Sequence, residues 1–572
     1  MNRDAGITMR WQDDELLPDD VRNALCGPGA PFEIVEEDVL GEPLRVFAQR
    51  PRNMREVALN AAERHGDSPY LVFPDQTVTY RELPGRAAAY AAVLAEEYGV
   101  GKGDRVAIAS ANNVDYALTI WACILMGAVV TGLNGWWTGP ELAYGVELTK
   151  PKVLIGDEPR LARIAESGAH VDAPIVRWDE LTSKVAARGE APIPEVPIDE
   201  DDPFIILFTS GTTGRPKGAT LSQRNIIHFA LSSGLRGATS AVLANAANPA
   251  ANTRTASPMA AASLCAGPFF HISGIAPITM GGPFYGTSIV FTPPGRWDPV
   301  RHMELTEKHR IATWSGVPTM YWRMLEHPDF PNYDLSSLTA ISSGGAPFPP
   351  ELIRLLQEHF PGVGVSQGYG SSETMGAGTL SFGPLMEHHP DAVGRATPAI
   401  DIQIRDDDGN VLGEGEIGEI CMRSGVVFLG YWDDEAATAK AFWPGRWYRT
   451  GDYGRIDDGV LFLESRMRDL ILRGGENIYP IEIEHRLVEH PDIVDAAVIG
   501  VEHRELGQEV KAFVVLADGA ELSEPEVQRW VAVALASYKV PAQVEFRDTL
   551  PYTETGKVVK TALEQEPRSQ PS

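Results

Sequence analysis

The spacing of apolar and polar residues changes several times along the chain, and each change marks an element. From Arg81 to Tyr98 the apolar residues recur at helical spacing, which predicts an Ala-rich amphipathic helix. The following GKGDRVAIAS reads as a turn and then a strand ending at Ser110. Tyr116 to Leu133 carries no charge and imitates a membrane span. Gly127 divides it into a helix-length half and a β-rich half, AVVTGL, as expected of a helix feeding a buried strand. Val153 to Gly156 starts another strand, and this alternation predicts parallel sheets covered on both faces. Between Ser232 and Ala266 the composition narrows to Ala, Asn, Thr and Pro, so a mobile surface loop with room for a short helix is expected. After Ile400 the period falls to two around Asp408-Gly409, which predicts a β-hairpin. The last stretch reads as a small α+β unit whose final helix has Ser523 as N-cap and Glu526 completing a capping box. The expected domains are an N-terminal extension over 1–50, a main body over 51–466 and a C-terminal domain over 467–572.

Composition narrows the classes of function. The 572 residues are 44% hydrophobic, enough for a sizeable core. The net charge of −29 excludes a dedicated nucleic-acid binder, and a site for an anion must gather positive groups locally against that field. Four cysteines lie far apart without CxxC spacing, so neither a zinc site nor a disulfide scaffold is indicated. The charged N-terminus, MNRDAGITMRWQDDELL, is unlike a signal peptide and leaves the cytoplasm as the expected compartment.

The strongest local signal is the run Thr209-Ser210-Gly211-Thr212-Thr213-Gly214-Arg215-Pro216-Lys217-Gly218, directly after the apolar strand PFIILF. Glycines let backbone N–H groups approach phosphate oxygens, hydroxyls donate hydrogen bonds and Lys217 adds charge. It is not a Walker A loop, because Pro216 precedes Lys217 and Gly218 follows it. Gly413 to Gly418 spells GxGxxG but lies in the expected hairpin with two glutamates, so it is set aside. The pairs Asp201-Asp202 and Asp457-Asp458 read as solvated loop charges.

With this loop the chain resembles the adenylate-forming superfamily of acyl- and aryl-CoA synthetases, luciferases and peptide-synthetase adenylation domains. Further motifs follow in that family's order: Phe270-His271-Ile272-Ser273-Gly274, Gly368 to Thr374, Tyr448 to Asp452, Arg466 to Asp469, Gly474 to Pro480 and Pro551 to Lys557. The resemblance covers about residues 55 to 565. It implies a large multi-sheet α/β N-terminal domain with a small mobile α+β C-terminal domain. It also implies two half-reactions: a carboxylate attacks the α-phosphorus of ATP, and coenzyme A then takes the acyl group from acyl-AMP.

The same resemblance assigns roles. Lys557, Glu373 and His271 are the catalytic candidates, with Lys557 bridging the carboxylate and the α-phosphate. Mg²⁺ is expected on Glu373 and Thr209. ATP and AMP are expected to meet Thr209, Ser210, Gly211, Thr212, Thr213, Gly214 and Lys217. Gly344, Gly345 and Ala346, with Gly368, Tyr369, Gly370, Ser371 and Ser372, form the adenine side, and Asp452 and Arg466 the ribose side. Arg473, Gly474 and Gly475 are assigned to coenzyme A, Phe270, His271, Gly316 and Val317 to the acyl group, and Arg468 to the hinge. Three positions depart from the family pattern: Ser372 stands for Thr, Ser465 for Gly, and Arg468 for Lys or Asp.

His271 stands where an amino-acid adenylation domain carries Asp, and RDLILRGGENIYP lacks the insertion usual in acyl-AMP ligases. The C-terminal RSQPS carries no peroxisomal signal. A non-catalytic binding module would have no use for Lys217, Glu373, Asp452 and Lys557 together. The expected partners are therefore a small carboxylic acid, ATP and coenzyme A, with no nucleic acid, no integral membrane segment, and a homodimer left open. Phe269, Gly281-Gly282 and Val317-Pro318-Thr319 suggest an apolar tunnel not filled by large residues. It suits a medium- or long-chain fatty acid or a bulky alicyclic acid, with an aryl acid or delivery of acyl-AMP to a carrier protein as alternatives.

Overall fold

Four sheets carry the described part of the chain. The structure is a computed structural model describing residues 6–13, 17–209, 216–247, 261–345, 348–466, 469, 471–473, 476–478, 480–503, 506–535, 537–553 and 558–565. In the first, fifteen-stranded sheet, a parallel stretch runs from Gly364–Tyr369 through Ala340–Gly344, Ile311–Gly316, Ala262–Cys265 and Ser288–Phe291 to Pro69–Val72. Beyond Gly364–Tyr369 the order turns antiparallel, through Thr379–Phe382 and Ala392–Ala396 to the hairpins Val460–Arg466/Trp447–Asp457 and Gly418–Arg423/Asp401–Arg405. The seven-stranded second sheet has a parallel core of Pro203–Thr209, Val129–Gly132, Arg105–Ala109, Val153–Gly156 and Ile175–Arg177. Lys217–Ser222 and Gly430–Tyr431 extend its edge in antiparallel fashion.

The uncharged stretch divides as its pattern predicts. Asn113 caps the helix Val114–Met126 by accepting from the Tyr116 N–H at 2.7 Å. Gly127 ends it at φ +71°, a conformation only glycine adopts without strain. After Asp115 in its first turn, that helix is apolar all round because it is buried all round. No helix among the described residues is long and apolar enough to cross a membrane.

Residues 6–13 and 17–50 are built into the body. The strand Thr8–Arg10 pairs with Asp401–Arg405 at the edge of the large sheet. The buried Asp401 carboxylate accepts from Arg10 and Arg423, each at 3.2 Å, and from Arg45. Arg50 donates to Glu200 at 2.6 Å and to Glu37 at 2.7 Å, and Glu200 also pairs with Arg224 at 2.7 Å. A buried polar network of this kind is stable only when every charge has a partner, and here the partners come from both extension and body.

Three expectations are corrected. The segment expected as a loop from Ser232 is, up to Ala247, the second half of the helix Gln223–Ala247, while residues 248–260 lie outside the described residues. Alanine is the best helix former, and the helix has tertiary anchors: Leu235 is buried and Ser232 Oγ donates to the Pro398 carbonyl at 3.0 Å. Phe269 and Gly282 do not leave open space. Phe269 is core, edge-on to Tyr116 at 5.3 Å and Phe291 at 5.4 Å, and a Cβ on Gly282 would lie 2.2 Å from the Tyr70 ring. Asp201 and Asp202 are ion-paired, with Arg224 and Lys102, both at 2.7 Å.

The fourth sheet belongs to the C-terminal unit. Gly507–Leu516 lies between Ile493–His503 and Gln543–Arg547, with the hairpin Ile471–Arg473/Glu476–Ile478 alongside. Ser523 and Glu526 make the expected capping box on the helix Glu524–Ala534. The helix Pro480–Val488 lies against the strand Val460–Arg466 of the body. The remaining sheet is the two-stranded hairpin Ile34–Val39/Glu42–Phe47 of the extension.

Candidate active site

In parallel α/β sheets, ligands bind beyond the carboxyl ends of the strands. Four of the segments expected at the site leave the large sheet at that edge. Ala262–Cys265 leads to Phe270-His271, Ile311–Gly316 to Val317, Ala340–Gly344 to Gly345, and Gly364–Tyr369 to Gly370 and Glu373. Gly344 and Gly368 are register partners, so the two glycine segments lie side by side. A Cβ on Gly344 would meet nothing within 4 Å, so internal packing does not require glycine there. A Cβ on Gly370 would lie 2.5 Å from the Gly376 carbonyl oxygen, so that glycine closes the turn.

Glu373 sits in the one-turn 3₁₀ helix Ser372–Thr374 and is 7% exposed. Among the described residues, the only group bonded to its side chain is Tyr431, whose hydroxyl donates to Oε1 at 3.1 Å. Tyr431 comes from the edge strand of the seven-stranded sheet, so this bond ties the two sheets together. The Lys217 Nζ lies 5.0 Å from the centre of the same ring, a cation–π distance. Tyr431 therefore stands between cation and carboxylate, and Lys217 has no carboxylate partner among the described residues. Burial raises the Tyr431 hydroxyl pKa, and Glu373 raises it further, so it remains a donor. Tyr448 behaves alike, through burial and then Glu373 and Tyr431.

Thr209 and Lys217 are register partners on Pro203–Thr209 and Lys217–Ser222. Ser210, Gly211, Thr212, Thr213 and Gly214 lie outside the described residues. The strand that begins at Lys217 pairs on its other side with Gly430–Tyr431. Tyr369 donates from its hydroxyl to Asp452 Oδ2 at 2.7 Å, which joins the expected adenine and ribose groups. Asp452 in turn is the register partner of Arg466. Ala346, Arg468, Gly474, Gly475 and Lys557 are outside the described residues. Arg473 is described, and its Nη2 lies 3.3 Å from Glu509 Oε1.

His271 caps the short helix Ile272–Ala276, its Nδ1 accepting from the Ser273 N–H at 3.2 Å. A nitrogen that accepts is unprotonated, so in the neutral ring the proton sits on Nε2. The loop before it is pinned by Asn112, which accepts from the Phe269 N–H and donates to the Gly267 carbonyl, both at 2.8 Å. Cys265 at the adjacent strand end is no nucleophile, because burial pushes its thiol pKa up to about 12. Asn112 and Tyr431 were not legible as site residues, since neither stands in a motif and both act on residues distant in sequence.

Among the described residues no group of three or more His, Cys, Asp or Glu could hold a metal ion. Magnesium needs less, since it commonly takes one or two carboxylates and completes its shell with water and substrate phosphates. Glu373, buried and, among the described residues, with a single neutral hydrogen-bond donor and no cation paired to it, fits that use.

The chain is similar to known proteins over most of its length. Residues 59–432 match the family described as AMP-binding enzyme, and residues 482–557 match its C-terminal domain. The chain is 32% identical over 498 residues to a long-chain-fatty-acid–CoA ligase, FadD13 of Mycobacterium tuberculosis, covering 86% of this chain and 93% of the relative. It is 34% identical over 505 residues to feruloyl-CoA synthase of an Amycolatopsis species, covering 87% and 94%. Among solved structures, ATP-bound MatB from Rhodopseudomonas palustris superposes with a TM-score of 0.78 at 30% identity, over 90% of this chain and 98% of that one.

Proposed function

The chain belongs to the AMP-binding enzyme family, and on that premise we propose that it activates an apolar carboxylic acid as acyl-AMP and transfers the acyl group to coenzyme A, releasing AMP and pyrophosphate. The observation that carries this reading is the junction of the two sheets at Tyr431. It brings Glu373 and Lys217 to one place without letting them neutralise each other, beside the carboxyl ends that carry Gly344, Tyr369 and His271.

The first half-reaction brings one anion onto another inside a protein of net charge −29, so positive groups must act at short range. Lys217, with the loop from Thr209, meets the phosphates. Asp452, oriented by Tyr369, accepts from the ribose hydroxyls, with Arg466 opposite it on the neighbouring strand. The glycines at 344 and 345, with Ala346, leave room for a flat ring. Glu373 and Thr209 would hold Mg²⁺, which would supply positive charge to the phosphates of ATP. Lys557, on the C-terminal domain, bridges the attacking carboxylate and the α-phosphate. In the second half-reaction His271 borders the acyl carbonyl, and Arg473, Gly474 and Gly475 line the route of the thiol.

The acid is of medium or long chain, or bulky and alicyclic, and meets Phe270, His271, Gly316 and Val317. An aryl acid is the second reading, favoured by the likeness to feruloyl-CoA synthase. One screen tests both: AMP formation dependent on coenzyme A across fatty, alicyclic and aryl acids. For a chain-shaped site, kcat/KM rises with each CH₂, worth ~0.8 kcal/mol, until the site is filled. In the same assay Lys557→Ala should lose acyl-AMP formation yet still make thioester from supplied acyl-AMP. Equal loss of both steps would make Lys557 structural.

A further inference from the structure

Successive tryptophans after the strand Val129–Gly132 point in opposite directions. Trp137 turns inward, its ring 5.0 Å from and edge-on to Phe208. Trp136 turns outward and stays 40% exposed. Its ring lies perpendicular to that of Phe270, 4.9 Å away, next to His271. Among the described residues nothing bonds the Trp136 indole N–H.

The loop holding this exposed ring is fixed from several sides. Arg163 donates to the Gly135 and Trp137 carbonyls, both at 2.6 Å, and Arg160 Nε adds a bond to Gly135 at 3.1 Å. Arg160 is itself held by Asp157 at 2.8 Å, and the same carboxylate accepts from the Ala111 N–H at 2.8 Å. The Trp136 N–H donates to Asn134 Oδ1 at 2.9 Å. A capping box between Thr138 and Glu141 then starts the next helix. There is also no slack against Phe270: a Cβ on Gly135 would lie 3.3 Å from its ring, and one on Gly132 2.8 Å from its Cα. Two guanidinium groups and two glycines thus fix the backbone beneath a side chain that packs on Phe270 and remains 40% exposed. Such a surface is preorganised, which reduces the freedom lost when a ligand docks.

We infer that Trp136 is a positioning residue for the second half-reaction, forming the fixed wall along which the acceptor's thiol-bearing arm reaches the acyl carbonyl beside His271. The inference rests on the coenzyme A reading above. The occupant is the amide- and methylene-containing arm of coenzyme A, which suits an indole: an apolar face for the methylenes and one N–H for an amide oxygen. The competing account is that Trp136 merely covers Phe270.

Two variants separate these accounts, each assayed for pyrophosphate release in adenylation and for thioester formation with coenzyme A. Trp136→Ala should raise KM for coenzyme A roughly tenfold, the equivalent of ~1.4 kcal/mol, with pyrophosphate release unchanged. Trp136→Leu keeps an apolar cover over Phe270 but removes the flat ring and its N–H, so it should fold as the wild type and still raise KM for coenzyme A. A wild-type KM for coenzyme A in Trp136→Leu would assign Trp136 to cover alone and overturn the inference, as would equal loss of both half-reactions in that variant. The wild-type protein is measured alongside. No thioester from it would overturn the coenzyme A reading together with this inference. Wild-type turnover with unchanged KM in both variants would overturn this inference alone.

Discussion

Gly281 and Gly282 are adjacent in sequence and answer to different neighbours. A Cβ on Gly281 would lie 3.9 Å from Ile289, an ordinary contact, whereas one on Gly282 would lie 2.2 Å from Tyr70. Tyr70 cannot retreat, because it is fully buried, stacked on Tyr80 at 4.7 Å and bonded through its hydroxyl to the Ile278 carbonyl. Gly282→Ala should therefore destabilise the protein by about 1–3 kcal/mol through overpacking. Gly281→Ala should be neutral or stabilising by up to ~1 kcal/mol, as alanine replaces glycine in a helical turn. Thermal melts of the two variants decide it, and equal midpoints would mean that the Tyr70 ring gives way to the added methyl group. The same scale shows what a sequence reveals about a site. Glu373, Lys217 and Asp452 stand in motifs whose chemistry is local. Tyr431 and Asn112 act on residues 58 and 157 positions away, and only the fold brings these together.

At the level of elements, the strand Ile493–His503 carries a carboxylate in an unfavourable place. Burial raises the Asp495 pKa, the bond from the Ala496 N–H lowers it and nearby Glu484 raises it, which together bring it to about 6. The unfolded value is near 3.8, so between these values the folded state holds a proton that the unfolded chain has lost. Stability should then fall as pH rises from about 4 through about 6, and the full penalty should be present above that window. Discounted for partial exposure, it is about 2 kcal/mol. Asp495→Asn keeps an acceptor for Ala496 and removes the charge. It should be more stable than the wild type at pH 7.5 and nearly equal at pH 4, by urea titration monitored in the C-terminal domain. A constant difference across that range would mean that Asp495 ionises freely. Elements were legible where periodicity was strong, as in the helix Glu82–Tyr98 and the hairpin Asp401–Arg405/Gly418–Arg423. The helix Gln223–Ala247 was missed because alanine, serine and glycine give little amphipathic signal. Its position is set by Leu235 in the core and by Tyr285 and Phe32, which come so close that a Cβ on Gly234 would lie 2.6 Å and 3.3 Å from them.

For the whole molecule, the two-domain plan was legible from a change of pattern, and the integration of the N-terminal extension was not. Its anchoring depends on Asp401 and Glu200 meeting arginines far away in sequence. The junction between the domains is short. Arg466 is the last residue of the strand paired with Trp447–Asp457, and the first strand of the C-terminal sheet begins at Ile471. Any rotation of one domain against the other must be absorbed between them, where Arg468 stands. The proposed half-reactions make opposite demands on that segment, since the proposal gives Lys557 to the first and Arg473 to Gly475 to the second. A proline at 468 fixes φ near −65° and removes an N–H, so it should hold the junction in one state. Arg468→Pro should therefore release pyrophosphate at close to the wild-type rate while forming thioester ~10²-fold more slowly, the scale of a misplacement of about 1 Å at a reacting centre. Single-turnover assays of each step, on protein whose melting temperature matches the wild type, separate this from a folding defect. If both steps keep wild-type rates, the domains need not rotate about residue 468, and one arrangement of the chain must serve both halves of the reaction.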